Sequence, residues 1–220
     1  MKAAPIHSTS PEGSDRILIV DDDVEFCELL AEYLDSVGYK AAMVHLSEQG
    51  LERARNEPWQ AVILDLMMPG MDGFEVIREL RKTSAVPVLM LTGRADETDV
   101  VVGLELGADD YIPKTSSMRQ LLARLRSVTR RSQPSHTDEN TSTAVADLEL
   151  GDLLLSPSRR KATLNKVLLE LTPVEFDLLA ALMRSPGRVK SRDALLSETR
   201  DRDYEIFDRS IDMHISAIRR

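Results

Sequence analysis

The chain has 220 residues, a formal net charge of −9, 42% hydrophobic and 30% charged residues. That is enough for two soluble domains and excludes wholesale disorder. No apolar run approaches the roughly 18 residues of a membrane span, and the single cysteine, Cys27, excludes a disulfide framework or a cysteine-rich zinc module. The first fourteen residues lack the apolar stretch of a secretory signal and read as a polar tail, which points to the cytoplasm. The acidic excess falls wholly before residue 146 and the rest is balanced, so a polyanionic partner would be met by the second part.

In chain order, Arg16–Val20 is a short apolar run ending in three aspartates. Glu25–Val37 carries Phe26, Leu29, Leu30, Tyr33, Leu34 and Val37 at helical spacing and is closed by Gly38, with Cys27 as a small packed thiol. Lys40–His45 is a weak strand, and Ser47 is expected to cap a helix reaching Asn56. Ala61–Leu64 is a strand ending at Asp65, and Phe74–Arg81 is helical after the turn MPGMDG. Val88–Leu91, Glu97–Leu106, Tyr111–Pro113 and Met118–Arg130 continue the alternation of strand and helix. Five such units imply an α/β fold, a doubly wound parallel sheet with helices on both faces.

Residues 132–145 are almost wholly polar and are expected to form a flexible linker. Beyond it, four short strand patterns (Leu148–Leu150, Leu153–Ser156, Lys161–Leu164, Val167–Leu169) precede three helices, a smaller α+β domain over 146–220. Thr172-Pro-Val-Glu175 is a capping box with proline at the first helical position, opening a helix through Met183. Ser191 caps Arg192–Glu198, and the last helix starts near Ile206.

In a doubly wound sheet, ligands gather beyond the C-terminal strand ends, where the strand order reverses. This brings Asp21 and Asp22 toward Asp65. Three close carboxylates either raise one another's pKa or hold a hard cation with oxygen ligands, such as Mg2+. Strand four ends in the hydroxyl of Thr92 and strand five in the ammonium of Lys114. Acids, hydroxyl and ammonium on one surface suit phosphoryl transfer onto a carboxylate.

The segments VDDD (20–23), LDLMMPGMDG (64–73), LTGRAD (91–96) and GADDYIPK (107–114) resemble the receiver domain of two-component response regulators. The likeness covers nearly all of 15–131. It implies that Asp65 accepts a phosphoryl group from a sensor histidine kinase. It also implies Mg2+ held by Asp22, Asp65 and the Met67 carbonyl, with Asp21 acting largely through water. Thr92 and Lys114 would contact the phosphoryl group, and Tyr111 would be the aromatic that turns inward with Thr92. Homodimerisation through Asp110 with Arg124 and Asp109 with Arg131 is implied as well. Val100 and Gln120 replace a basic residue and a glutamate of that pattern. Thr115 replaces the proline that usually follows the lysine, so a trans Lys114–Thr115 bond is expected.

A competing reading comes from Asp21-Asp22-Asp23-Val24, which fits the opening pattern of haloacid-dehalogenase-type phosphatases. In them, however, the lysine precedes the late acidic pair, whereas Lys114 follows Asp109 and Asp110. That reading also leaves Asp65 and MPGMDG unexplained. Neither a P-loop nor a GxGxxG motif occurs.

LTPVEFDLLAALMRSPGRVKSRDALL followed by FDRSIDMHISAIRR resembles the winged-helix DNA-binding domain of the OmpR/PhoB family, the second segment being similar to Cpx-type envelope-stress regulators. This implies promoter DNA as partner, RNA polymerase beside it, and the final helix in the major groove. Arg209, His214, Arg219 and Arg220 match DNA-contacting positions, while Ile211, Ile215 and Ile218 face the core. Arg159, Arg160 and Lys161 are expected to form a solvated turn. The family's C-terminal wing would follow Arg220, so a domain without its wing is expected here. The whole reads as a phosphorylation-activated transcription regulator and not an enzyme, with at most slow self-dephosphorylation. The alternative is a phosphorylation-dependent interaction module with impaired DNA binding.

Overall fold

The computed structural model describes residues 15–93, 97–132, 146–199 and 209–219. The polar tail, linker residues 133–145 and Arg220 lie outside the described residues, and of Arg131 and Arg209 only the backbone is described.

Five apolar runs form a parallel sheet of β1 (Arg16–Val20), β2 (Lys40–Val44), β3 (Ala61–Asp65), β4 (Val88–Thr92) and β5 (Asp110–Pro113) in the order β2-β1-β3-β4-β5. Between them run α1 (Val24–Ser36), α2 (Ser47–Asn56), α3 (Gly73–Leu80) and α4 (Glu97–Glu105), and α5 (Met118–Ser132) follows. β3 and β4 are buried along their whole length, as strands covered on both faces must be. Strand periodicity of two sends Leu18, Val20, Val62, Leu64 and Met90 to one core layer, and Ile17, Ile19, Ile63, Leu89 and Leu91 to the other, with Cys27. Each fully buried aliphatic side chain contributes about 1.5–3 kcal/mol relative to exposure. The strands match the predicted runs to within one residue.

Ser47 departs from expectation. It is the first helical residue of α2, while the cap is Leu46, which makes no side-chain cap bond. The Ser47 hydroxyl instead donates to Met68 Sδ at 3.6 Å.

At the floor of the sheet, Trp59 lies beneath two guanidiniums, Arg16 at 4.1 Å and Arg53 at 5.2 Å from its ring centre. Glu57 bonds both arginines, at 2.8 Å each. Their hydrogen bonds, Arg53 first, pull its carboxyl down to about 2.

The second domain opens with an antiparallel sheet, β6 (Leu148–Leu150), β7 (Leu153–Ser156), β8 (Lys161–Leu164) and β9 (Val167–Leu169), in sequential order. Helices α6 (Pro173–Met183), α7 (Arg192–Thr199) and α8 (Arg209–Ile218) follow. The capping box forms as predicted: the Thr172 N–H donates to Glu175 Oε2 at 2.8 Å, and the Glu175 N–H to the Thr172 hydroxyl at 3.4 Å. Arg160 does not belong to a solvated turn. Its guanidinium pairs with Asp177 at 2.8 Å, donates to Pro173 O at 3.0 Å and covers the Phe176 ring, tying the β-hairpin to the start of α6.

Helix α8 packs on α6 and α7 and also against α4 of the first domain. Ile211 is buried, Ile215 and Ile218 pack beside it, and Met213 packs on the core layer that contains Val100, Leu104 and Tyr111. No helix among the described residues is long and apolar enough to cross a membrane.

Candidate phosphoryl-acceptor site

The strand ends assemble the site. Asp21 follows β1, Asp65 and Thr92 close β3 and β4, and Lys114 follows β5. One oxygen from each of Asp21, Asp22 and Asp65 lies within 4.8 Å of the others. Asp21 and Asp65 are buried and Asp22 is exposed, so the cluster opens to solvent on one side. The Lys114 ammonium lies 2.7 Å from Asp21 and 3.0 Å from Asp65, with the Phe26 ring centre 5.3 Å away. Thr92, 1% exposed, ends the neighbouring strand. Its carbonyl accepts from the Lys114 N–H at 2.8 Å, which anchors the residue carrying the ammonium.

The local backbone explains the placement. Asp23 caps α1 by accepting from the Phe26 N–H at 3.0 Å, and its own N–H donates to Asp21 Oδ1 at 3.0 Å. The three successive aspartates thus divide between helix cap, buried acid and exposed acid. Gly73, first residue of α3, lies so close to the strand end that a Cβ there would sit 2.5 Å from the Asp65 carbonyl oxygen. The glycine that ends MPGMDG therefore lets α3 start against the residue that carries the chemistry.

Burial pushes the Asp21 carboxyl up, and Asp65 adds to that against the opposing bonds from Lys114 and the Asp23 N–H. Burial lowers Lys114, but the hydrogen bonds to Asp21 and Asp65 more than offset it and hold the ammonium above its ordinary value. Asp65 Oδ2 is engaged by Lys114, whereas Asp65 Oδ1 is buried and has no hydrogen-bond partner among the described residues. An orphaned carboxylate oxygen beside two further acids fits a hard cation with oxygen ligands.

The other predicted residues fall into two groups. Lys114–Thr115 is trans, like the other described peptide bonds, and Lys114 still reaches both acids. Tyr111 is 6% exposed although β5 is an edge strand, because it belongs to the layer under α4. Met67 stands two positions past Asp65 with its side chain exposed. Arg124 pairs with Asp110 of the same chain at 3.0 Å.

Asp109 requires a correction as a residue presented to a partner. Its carboxylate is fully enclosed, paired with Arg81 at 3.0 Å and accepting from the Val88 N–H at 2.9 Å. His214, expected on a DNA-facing surface, is 1% exposed, because α8 is covered by the helices around it. Arg219 is exposed. Arg192 binds Asp212 in a two-pronged pair at 2.8 and 3.0 Å, joining α7 to α8. Sequence reasoning missed His45, whose ring Nδ1 lies 2.9 Å from the Asp21 carbonyl oxygen.

Comparison with known families and structures agrees with this geometry. Residues 17–126 match the family described as the response regulator receiver domain, and residues 165–220 that of the transcriptional regulatory protein C-terminal domain. The chain is 44% identical over 205 residues to the transcriptional regulatory protein CpxR of Klebsiella pneumoniae, covering 93% of this chain and 88% of that one. Among solved structures, it is similar to the response regulator DrrB, a Thermotoga maritima OmpR/PhoB homologue. The match has 28% identity and a TM-score of 0.50, over 93% of this chain and 87% of that one. A mutant structure of RitR shares the fold with a TM-score of 0.73 at 20% identity, over 93% of this chain and 88% of that one.

Proposed function

The chain belongs to the two-component response regulators of the OmpR/PhoB type, phosphorylation-activated transcriptional regulators, and on that premise we propose that Asp65 is the residue phosphorylated by a sensor histidine kinase. The observation that carries this assignment is its carboxylate: buried, held at one oxygen by Lys114, and without a hydrogen-bond partner among the described residues at the other, beside Asp21 and Asp22. In the transfer an Asp65 oxygen attacks phosphorus. The bond from phosphorus to the kinase imidazole nitrogen breaks, and its electron pair leaves with the imidazole, giving an aspartyl phosphate and a free histidine. Lys114 offsets the charge of the phosphoryl oxygens and Thr92 donates a hydrogen bond to one of them. Asp21, Asp22, Asp65 and the Met67 carbonyl would hold a divalent cation such as Mg2+, which when bound would supply positive charge to offset that of the phosphoryl group.

The second domain gives the output. Helix α8 is the element that enters the major groove of promoter DNA, with Arg209, Arg219 and Arg220 toward the backbone and bases. It lies against α4, so α8 and the α4 side of the face expected to dimerise cover one another. Phosphorylation shifts the population toward an undocked form in which both are free, His214 is exposed, and the homodimer engages two half-sites alongside RNA polymerase in the cytoplasm.

The test is DNA binding measured with and without a small phosphodonor and Mg2+. The parent is expected to bind more tightly when phosphorylated, and EDTA or Asp65→Asn to abolish both labelling and the gain. Lys114→Ala is expected to lower labelling by roughly 10²-fold. Labelling that persists in Asp65→Asn and disappears on changing Asp21 would overturn the assignment.

A further inference from the structure

The pocket's order depends on a side chain from outside the acidic cluster. The Asp21 N–H donates to Val44 O at 3.1 Å, the last rung between β1 and β2, which pair Val20 with Val44. Rungs of a parallel ladder are evenly spaced, so the next donor for the Asp21 carbonyl would be a backbone N–H one step farther along β2. But β2 ends at Val44, and the chain turns away into α2 through Leu46. The half-buried ring of His45 takes that place, with Nδ1 2.9 Å from Asp21 O. A carbonyl oxygen only accepts, so Nδ1 carries the proton, as it does in both the matching neutral tautomer and the charged ring. The Cys27 thiol donates weakly to the same oxygen from 3.5 Å.

That carbonyl belongs to the Asp21–Asp22 peptide plane. The N–H of a trans peptide points opposite to its C=O. Pinning the oxygen toward β2 therefore turns the Asp22 N–H toward β3, the strand that carries Asp65, and fixes the direction from which Asp22 leaves the strand end. Asp22 itself is exposed, so the peptide that precedes it sets its approach to the cluster. We infer that His45 is a positioning residue for the cation pocket: its Nδ1–H locks the Asp21–Asp22 peptide so that Asp22 meets Asp21 and Asp65 in one cluster. This inference rests on the reading of that cluster as a cation site.

The experiment titrates Mg2+ into the unphosphorylated full chain, followed by amide NMR shifts, for the parent, His45→Leu and His45→Asn. Leucine fills the space without a donor. Asparagine places an amide N–H the same number of bonds from the backbone as Nδ1. Partners that orient a metal ligand typically govern 10–100-fold in affinity. The leucine variant is expected to bind Mg2+ roughly tenfold more weakly and the asparagine variant like the parent. The Mg2+ concentration giving half-maximal labelling by a small phosphodonor should rise in step, with the rate at saturating Mg2+ kept within about twofold, a split that general loosening of the fold does not produce. Thermal melting in EDTA monitors folding. Should the leucine variant not fold, His45→Gln, whose amide lies one carbon farther out, takes its place. Parental Mg2+ affinity in His45→Leu, or equal weakening in His45→Asn, overturns the inference. Absence of Mg2+ binding by the parent instead overturns the reading of the pocket.

Discussion

The Arg81 guanidinium lies 3.0 Å from an Asp109 carboxylate that is completely shut off from solvent. The same guanidinium donates to the carbonyls of Gly107, Ser84 and Val86, between 2.8 and 3.1 Å. One side chain thus ties the end of α3 to the segments entering β4 and β5. Removing one partner of a buried pair leaves the other charge uncompensated. Arg81→Ala is therefore expected to destabilise the first domain by about 3–5 kcal/mol, read as a lower urea midpoint. Asp109→Asn, which keeps an acceptor, should cost less.

Cys27 is wholly buried, and burial, with Asp21 second, pushes its thiol up to about 12. The thiolate is the reactive form. A disulfide reagent at pH 8 should leave the native chain unmodified and label it stoichiometrically in denaturant. Fast labelling of the native chain would contradict the packing around α1.

Glu57 gives a pH prediction with a defined sign. Its folded value is depressed from 4.5 to about 2, so its contribution is fully present above 4.5 and is lost as pH falls toward 2. The acid limb of the stability curve should be shallower in Glu57→Gln between those values. The pair is partly solvated, so the difference should shrink in high salt.

Met213 reports on docking between the domains, since it sits on α8 and packs against the layer under α4. Weakening that contact by about 1.4 kcal/mol multiplies the undocked population about tenfold. Met213→Ala should raise DNA affinity before phosphorylation by several-fold and leave the phosphorylated affinity little changed. A uniform loss in both forms would place Met213 in the DNA surface instead.

The receiver was legible from local signals. Each strand is an apolar run closed by a polar residue, and four of those closing residues, Asp21, Asp65, Thr92 and Lys114, make up the candidate site. The Thr172–Glu175 cap was equally local. What escaped depends on surfaces the chain supplies from afar. Asp109 meets an arginine 28 positions away, and Arg160 meets a helix start rather than solvent. The resemblance alone sends His214 outward, whereas helical spacing sets it three residues from Ile211 and four from Ile218, on their buried face. Ser47 had the chemistry of a cap, but the chain entered α2 one residue earlier.

The indole of Trp59, the chain's lone tryptophan, sits just before β3, and Asp65 closes that same strand. At the rise of an extended chain the two are about 20 Å apart. Intrinsic fluorescence therefore watches the pole opposite the phosphoryl site. Its emission should stay constant while the switch turns over and change when Arg16 or Arg53 leaves the ring, so a single optical channel distinguishes signalling from melting without any added dye.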